Sequence, residues 1–122
     1  MNKGDFIRYY EEYNNHGADG VSDFYTSDVI FEFQNYKIDG KEGVLKYFKQ
    51  LNMIFREIMK PQKIFIEGDK AAVELENEFV AKADIPDFLG KSLKTGGSTT
   101  ARFGAFYDIR DGKIAHVRIY SL

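Results

Sequence analysis

Apolar side chains recur at helical spacing over most of the first half of the chain, then alternate with polar ones after Pro61. Phe6, Tyr9, Tyr10 and Tyr13, with Glu11-Glu12 between them, predict an amphipathic helix over about Lys3–Asn14, closed by Asn15-His16-Gly17. A short second helix follows over Ala18–Tyr25. Thr26-Ser27-Asp28 reads as a polar turn into a strand, Val29–Phe33, whose Val29, Phe31 and Phe33 share one side. Gln34–Gly40 is a turn with a short return strand. Val44, Phe48, Leu51 and Phe55, spaced by four, three and four, predict a long third helix over Lys41–Met59, ended by Pro61.

Beyond Pro61 the period is two. Lys63–Glu67 and Lys70–Ala83 flank Gly68-Asp69, and Ser98–Ile109 and Lys113–Tyr120 flank Asp111-Gly112. Both are two-residue hairpin signals. Val73, Leu75, Asn77, Phe79 and Ala81 take one face of their strand, with Glu74, Glu76, Glu78 and Lys82 opposite. An unbroken two-residue hairpin sets Phe106 against Val117, Gly104 against Ile119 and Arg102 against Ser121. That register assigns Arg102, Gly104 and Phe106 to the interior, and Phe103, Tyr107, His116, Arg118 and Tyr120 to the outer face. Asp84–Gly97, rich in Gly, Lys and Pro, reads as an irregular rim over a pocket. Helices first and strands after mean an α+β fold: one domain over residues 1–122, a bent antiparallel sheet wrapped around the N-terminal helices as a cone.

Composition narrows the function. Aromatic residues make up 16% of the chain, 11 Phe and 8 Tyr without Trp, which suits a thick core or a lined pocket. A net charge of -2 gives no electrostatic footprint for nucleic acid. No cysteine is present, so thiolate chemistry and disulfides are excluded. The polar start Met1–Asp5 and the short apolar runs imply no signal peptide, no membrane span and a cytoplasmic location.

Four stretches resemble a known family: Tyr9-Tyr10-Glu11-Glu12-Tyr13-Asn14 leading to Asp19-Gly20, Phe24-Tyr25-Thr26-Ser27-Asp28-Val29, Gly40-Lys41-Glu42-Gly43, and Phe106–Ile114. In order and spacing they are similar to the SnoaL-like branch of the nuclear transport factor 2-like superfamily, over nearly the whole chain. The resemblance implies a cone with a deep apolar pocket, and a homodimer formed through the sheet. The superfamily holds ketosteroid isomerase, scytalone dehydratase, limonene epoxide hydrolase and polyketide cyclases, together with members of no known activity. Matched to the ketosteroid isomerase pattern, Tyr9 falls at the oxyanion-hole tyrosine. Phe33 falls where the general-base aspartate belongs, and Gly104 near the second, protonated aspartate. Phenylalanine cannot take a proton, which argues against steroid isomerisation. The Asp/Arg/Asp arrangement of the epoxide hydrolases is also missing.

The catalytic candidates are Tyr9, as a hydrogen-bond donor to a ligand oxygen or a core tyrosine tethered to a neighbouring backbone group, and Arg102, as a holder of negative charge or a rim arginine paired with Asp84 or Asp87. Asn77, breaking an apolar face, orients a ligand or joins a buried network. Phe6, Tyr13, Phe31, Phe33, Phe48, Phe79 and Phe106 are core residues and candidates for the pocket lining. His16 reads as solvated, and His116 as part of an interface. Two histidines so placed imply no metal site, and no cofactor is implied. Two functions fit: a cofactor-independent isomerase, cyclase or dehydratase acting on a small apolar cyclic or aromatic compound, and a non-catalytic ligand-binding or dimeric interaction module. An acid or base facing the interior would favour the first.

Overall fold

The computed structural model describes all residues, 1–122. Helix α1 (Lys3–His16) starts at a capping box, in which Asn2 accepts from the Asp5 backbone and Asp5 accepts from the Asn2 backbone. It buries Phe6, Tyr9, Tyr10 and Tyr13, the face its spacing predicts. Gly17, at φ 61°, ends it and lets the chain turn directly into α2 (Ala18–Val21) and a single 3-10 turn (Ser22–Phe24). The remaining elements are β1 (Tyr25–Phe33), β2 (Tyr36–Asp39), α3 (Lys41–Ile54), β3 (Phe55–Glu67), β4 (Lys70–Ala81), β5 (Ile85–Phe88), β6 (Lys91–Leu93), β7 (Ser98–Arg110) and β8 (Lys113–Ser121). Six strands form one sheet in the order β2-β1-β8-β7-β4-β3, antiparallel except for the parallel β1–β8 pair. The fold is therefore α+β, with the helices on the inner face of a curved sheet and a single apolar core between them.

Five expectations give way to the structure. The third helix does not reach Met59. It stops at Ile54, where Phe55 turns extended and starts β3, pairing with Ala81 of β4. The apolar period of three and four carries on through Phe55 by coincidence, and a full ladder to β4 outweighs helix propensity there. Pro61 lies inside β3 and ends nothing. It sits on an edge strand beside a register shift, where a missing N–H is tolerated. The first strand begins at Tyr25, earlier than Val29, and its pairing with β8 is irregular between Tyr25 and Ile30, the stretch that reads as a turn.

The largest correction concerns β7. Its hairpin with β8 turns at Asp111-Gly112, with both residues at positive φ, as expected. Arg110 faces Lys113 and Ile109 faces Ile114, but Asp108 then faces His116, so Ala115 is an extra residue on β8. Beyond this bulge Tyr107 opposes Val117, Ala105 opposes Ile119 and Phe103 opposes Ser121. The buried side of β7 is therefore Thr99, Phe103, Ala105 and Tyr107. Phe103 and Tyr107 point into the cone instead of out of it, whereas Arg102, Gly104 and Phe106 lie on the outer face with His116, Arg118 and Tyr120. Finally, Asp84–Gly97 is not irregular: it carries the small β5–β6 hairpin, turned at Leu89-Gly90.

Candidate functional site

Inside the cone lies an apolar cavity of about 120 Å³, bounded by α1, α3, β1, β3, β4, β7 and β8 and by the β5–β6 hairpin. Of the expected site residues, Tyr9, Phe31, Phe33, Phe48, Asn77 and Phe79 border it. Phe6 does not: it is fully buried in the core against Tyr107. Tyr13 stands one layer behind the cavity. Phe106 is 47% exposed on the outer face, beside Tyr120, and lines nothing inside. Arg102 is also outside. Its guanidinium donates to Glu74 on the neighbouring strand at 2.9 Å, not to Asp84 or Asp87, and its side chain is 60% exposed. It cannot hold charge within the cavity.

The cavity contains a group that the helix assignment hid. Glu57, on β3, borders it with only 6% of its surface exposed. All the other lining residues except Asn77 are hydrophobic. Strand geometry brings the two together, since Met59 is directly opposite Asn77 and Glu57 is its diagonal neighbour on the same face. Asn77 Nδ2 donates to Glu57 Oε2 at 3.0 Å, and the Tyr13 hydroxyl donates to Oε1 at 2.7 Å. Asn52 Nδ2 in turn donates to the Tyr13 oxygen at 3.0 Å. Burial away from water disfavours the charged carboxylate and outweighs these two donors, so the Glu57 pKa is raised to about 7. Glu57 is also the one residue that borders both the cavity and a polar groove containing Tyr13, Asn14, His16, Asn52 and Lys82. One side of the carboxyl meets an apolar space and the other is near water.

Across the cavity, Tyr9 and Tyr107 present their rings, each tied to a second buried phenol. The Tyr9 and Tyr25 hydroxyls share a short hydrogen bond, and Tyr10 and Tyr107 share one of 2.7 Å. Burial pushes the Tyr9 pKa far above its ordinary value. The Tyr25 hydrogen bond opposes that shift, and the nearby Glu57 charge adds to it. Tyr9 is therefore a neutral O–H at any working pH, able to donate but not to act as a base. The hairpin tip closes one side: Phe88 stacks on Phe55 with ring centroids 4.4 Å apart and on Phe79 at 4.9 Å, and Leu89 also lines the cavity. A signal for Glu57 does exist in the sequence. Phe55, Glu57 and Met59 alternate with Arg56 and Lys60, and the facing strand has its own polar break at Asn77.

A cone-shaped α+β fold around an apolar cavity with one buried carboxyl defines the class. The family profile described as the SnoaL-like domain matches residues 6–117, and the chain belongs to that family. Comparison with curated proteins gives no match. Among solved structures, a protein of Xanthomonas campestris provisionally described as a polyketide cyclase superposes with a TM-score of 0.81 at 24% identity, covering 96% of this chain and 87% of that one. A protein of Streptomyces galilaeus, provisionally described as a hydroxylase, gives 0.79 at 14% identity, covering 98% and 87%. A Catenulispora acidiphila protein with a ketosteroid isomerase-like fold, solved with trimethylamine, gives 0.78 at 10% identity, covering 98% and 86%. At these identities the likeness is one of fold. No helix in the chain is long and apolar enough to cross a membrane.

Proposed function

We propose that the protein is a cofactor-independent acid–base enzyme that moves a proton on a small, mostly apolar carbonyl compound, with Glu57 as the base and Tyr9 as the donor to oxygen. A carboxyl whose pKa is raised to about 7 in an apolar cavity carries the reading. At that pKa it is ionised often enough to take a proton and basic enough to attract one. In the step proposed, a carboxylate oxygen takes the proton from the carbon next to the carbonyl. The electron pair moves to the carbonyl oxygen, and the Tyr9 O–H holds the resulting enolate. Return of the proton to another carbon gives an isomer; attack of the enolate carbon on a second carbonyl of the same molecule closes a ring, and the new alkoxide takes the proton back from Glu57. Glu57 supplies the base that Phe33 cannot, from a different strand. The provisional description of the Xanthomonas protein as a polyketide cyclase agrees with the ring-closing branch of this reading. The same reading takes a second copy of the chain as the partner, docked through the outer sheet face.

Cyclohex-3-enone, a one-ring carbonyl compound, is the test substrate, with conversion to the conjugated ketone and deuterium uptake followed by NMR. The expected rate rises through pH about 7 as Glu57 ionises. Glu57→Gln lowers it by roughly 10²- to 10⁴-fold, and Tyr9→Phe by about 10²-fold. Equal rates for wild type and Glu57→Gln end the proposal and favour a binding protein, the function an almost wholly apolar lining would serve without a base.

A further inference from the structure

Two observations restrict what the cavity can hold. The first is size. A cavity of about 150 Å³ accepts a benzene ring, and drug-sized ligands need roughly 300–1,000 Å³. At about 120 Å³ this cavity matches the low end of that scale. Phe33, Phe103, Phe79 and Phe88 pack ring against ring along one wall, with Phe79 directly opposite Glu57 on the paired strand. A fused multi-ring skeleton would have to displace several of these rings. The second observation is polar. Asn77 is 3% exposed, and its Nδ2 is committed to Glu57, but its Oδ1 has no hydrogen-bond partner in the protein. Leaving a buried carbonyl oxygen without a donor costs about 1–3 kcal/mol. Asparagine χ2 has a broad well, so a modest turn of the amide brings Oδ1 toward the cavity that the side chain lines.

We infer that the cavity takes a single-ring compound carrying one hydroxyl or N–H donor, with that donor on Asn77 Oδ1 and the ring among Phe33, Phe79 and Phe103. This deepens the enzymatic reading and rests on it only for the location of the site. For the substrate it specifies a one-ring hydroxy- or amino-substituted carbonyl compound, placing the donor beside the Glu57 carboxylate.

Binding without turnover tests it, using phenol, toluene and 2-naphthol in NMR titrations. Phenol and toluene differ by a donor at nearly constant size; phenol and 2-naphthol differ by a ring. Wild type is expected to bind phenol about tenfold more tightly than toluene and more tightly than 2-naphthol. Asn77→Leu and Asn77→Ala erase the preference for phenol over toluene, the alanine variant serving if leucine fills the space or disturbs the fold. Phe79→Ala, which opens the lining, raises 2-naphthol binding. A wild type indifferent to the hydroxyl overturns the inference. So does a preference that survives both Asn77 variants, or 2-naphthol binding as tightly as phenol. If this pattern holds while cyclohex-3-enone is untouched, the ligand class stands without the enzymatic reading; if cyclohex-3-enone reacts while the pattern fails, the reverse is true.

Discussion

A carboxyl buried as deeply as Glu57 ionises far earlier in the unfolded chain than in the fold. Its ordinary value is 4.5 and its folded value about 7. Below the lower value both states hold the proton, and Glu57 costs the fold nothing. As pH rises between the two, the unfolded chain releases the proton and the fold does not, so stability falls. Above the higher value both are ionised and the loss is constant. The gap corresponds to about 3 kcal/mol at most. Denaturant titrations from about pH 4 to 8 should show wild type losing stability across that window and Glu57→Gln losing much less. The two should be nearly equal at the acid end, and the variant the more stable at the alkaline end. Parallel curves would mean that Glu57 is not desolvated. At this scale Tyr9 and Asn77 were legible, because each sits on a face whose period is uninterrupted. Glu57 was hidden because Phe55 continues the spacing of α3 by chance, which extends the predicted helix across it.

Strands and hairpins were legible where turn chemistry is strong, and both two-residue turns fall where Gly68-Asp69 and Asp111-Gly112 put them. Alternation along β4 gives its inner face directly, from Val73 to Ala81. β7 shows why a correct turn is not enough. Val117 and Ile119 do face inward, but transferring that face across the hairpin requires an unbroken ladder. The extra residue Ala115 moves the register by one, and a one-residue slip exchanges the two faces of β7. No glycine or proline marks the bulge. Neighbouring residues on β7 should therefore respond in opposite ways. Arg102→Met removes an exposed ion pair with Glu74 and should change stability by less than about 1 kcal/mol, with cavity binding of phenol unaltered. Phe103→Ala empties a buried position that packs on Phe33 and Phe79, and should cost about 3–5 kcal/mol. Melting curves of the two variants decide between the bulged register and the regular one, which predicts the opposite order.

The exchange of faces also redraws the surface through which two whole molecules would meet. Phe103 and Tyr107, which the regular register puts at the interface, are committed to the cavity, leaving His116, Arg118 and Tyr120 from that set. The outer face gains Phe106, packed edge-on against Tyr120, and Phe65 of β3 is exposed on the same face. Between these apolar groups His116 is paired with Glu32, Arg118 lies near both Glu32 and Asp108, and Lys70 donates to Asp108 at 2.8 Å. Charges already paired within the chain can be covered by a second copy at less cost than free ones, and exposed aromatic rings are the usual energetic centre of such contacts. Wild type should therefore sediment as a dimer at micromolar concentration. Phe65→Asp with Phe106→Asp should give a folded monomer, since removing two central aromatic anchors worth about 2 kcal/mol each weakens association by roughly a thousandfold. Because Phe65 and Phe106 are outside the cavity, the monomer should still bind phenol as wild type does. A wild type that is monomeric at high concentration, or a double variant that stays dimeric, would remove the outer sheet face as the meeting surface and leave the cavity argument untouched.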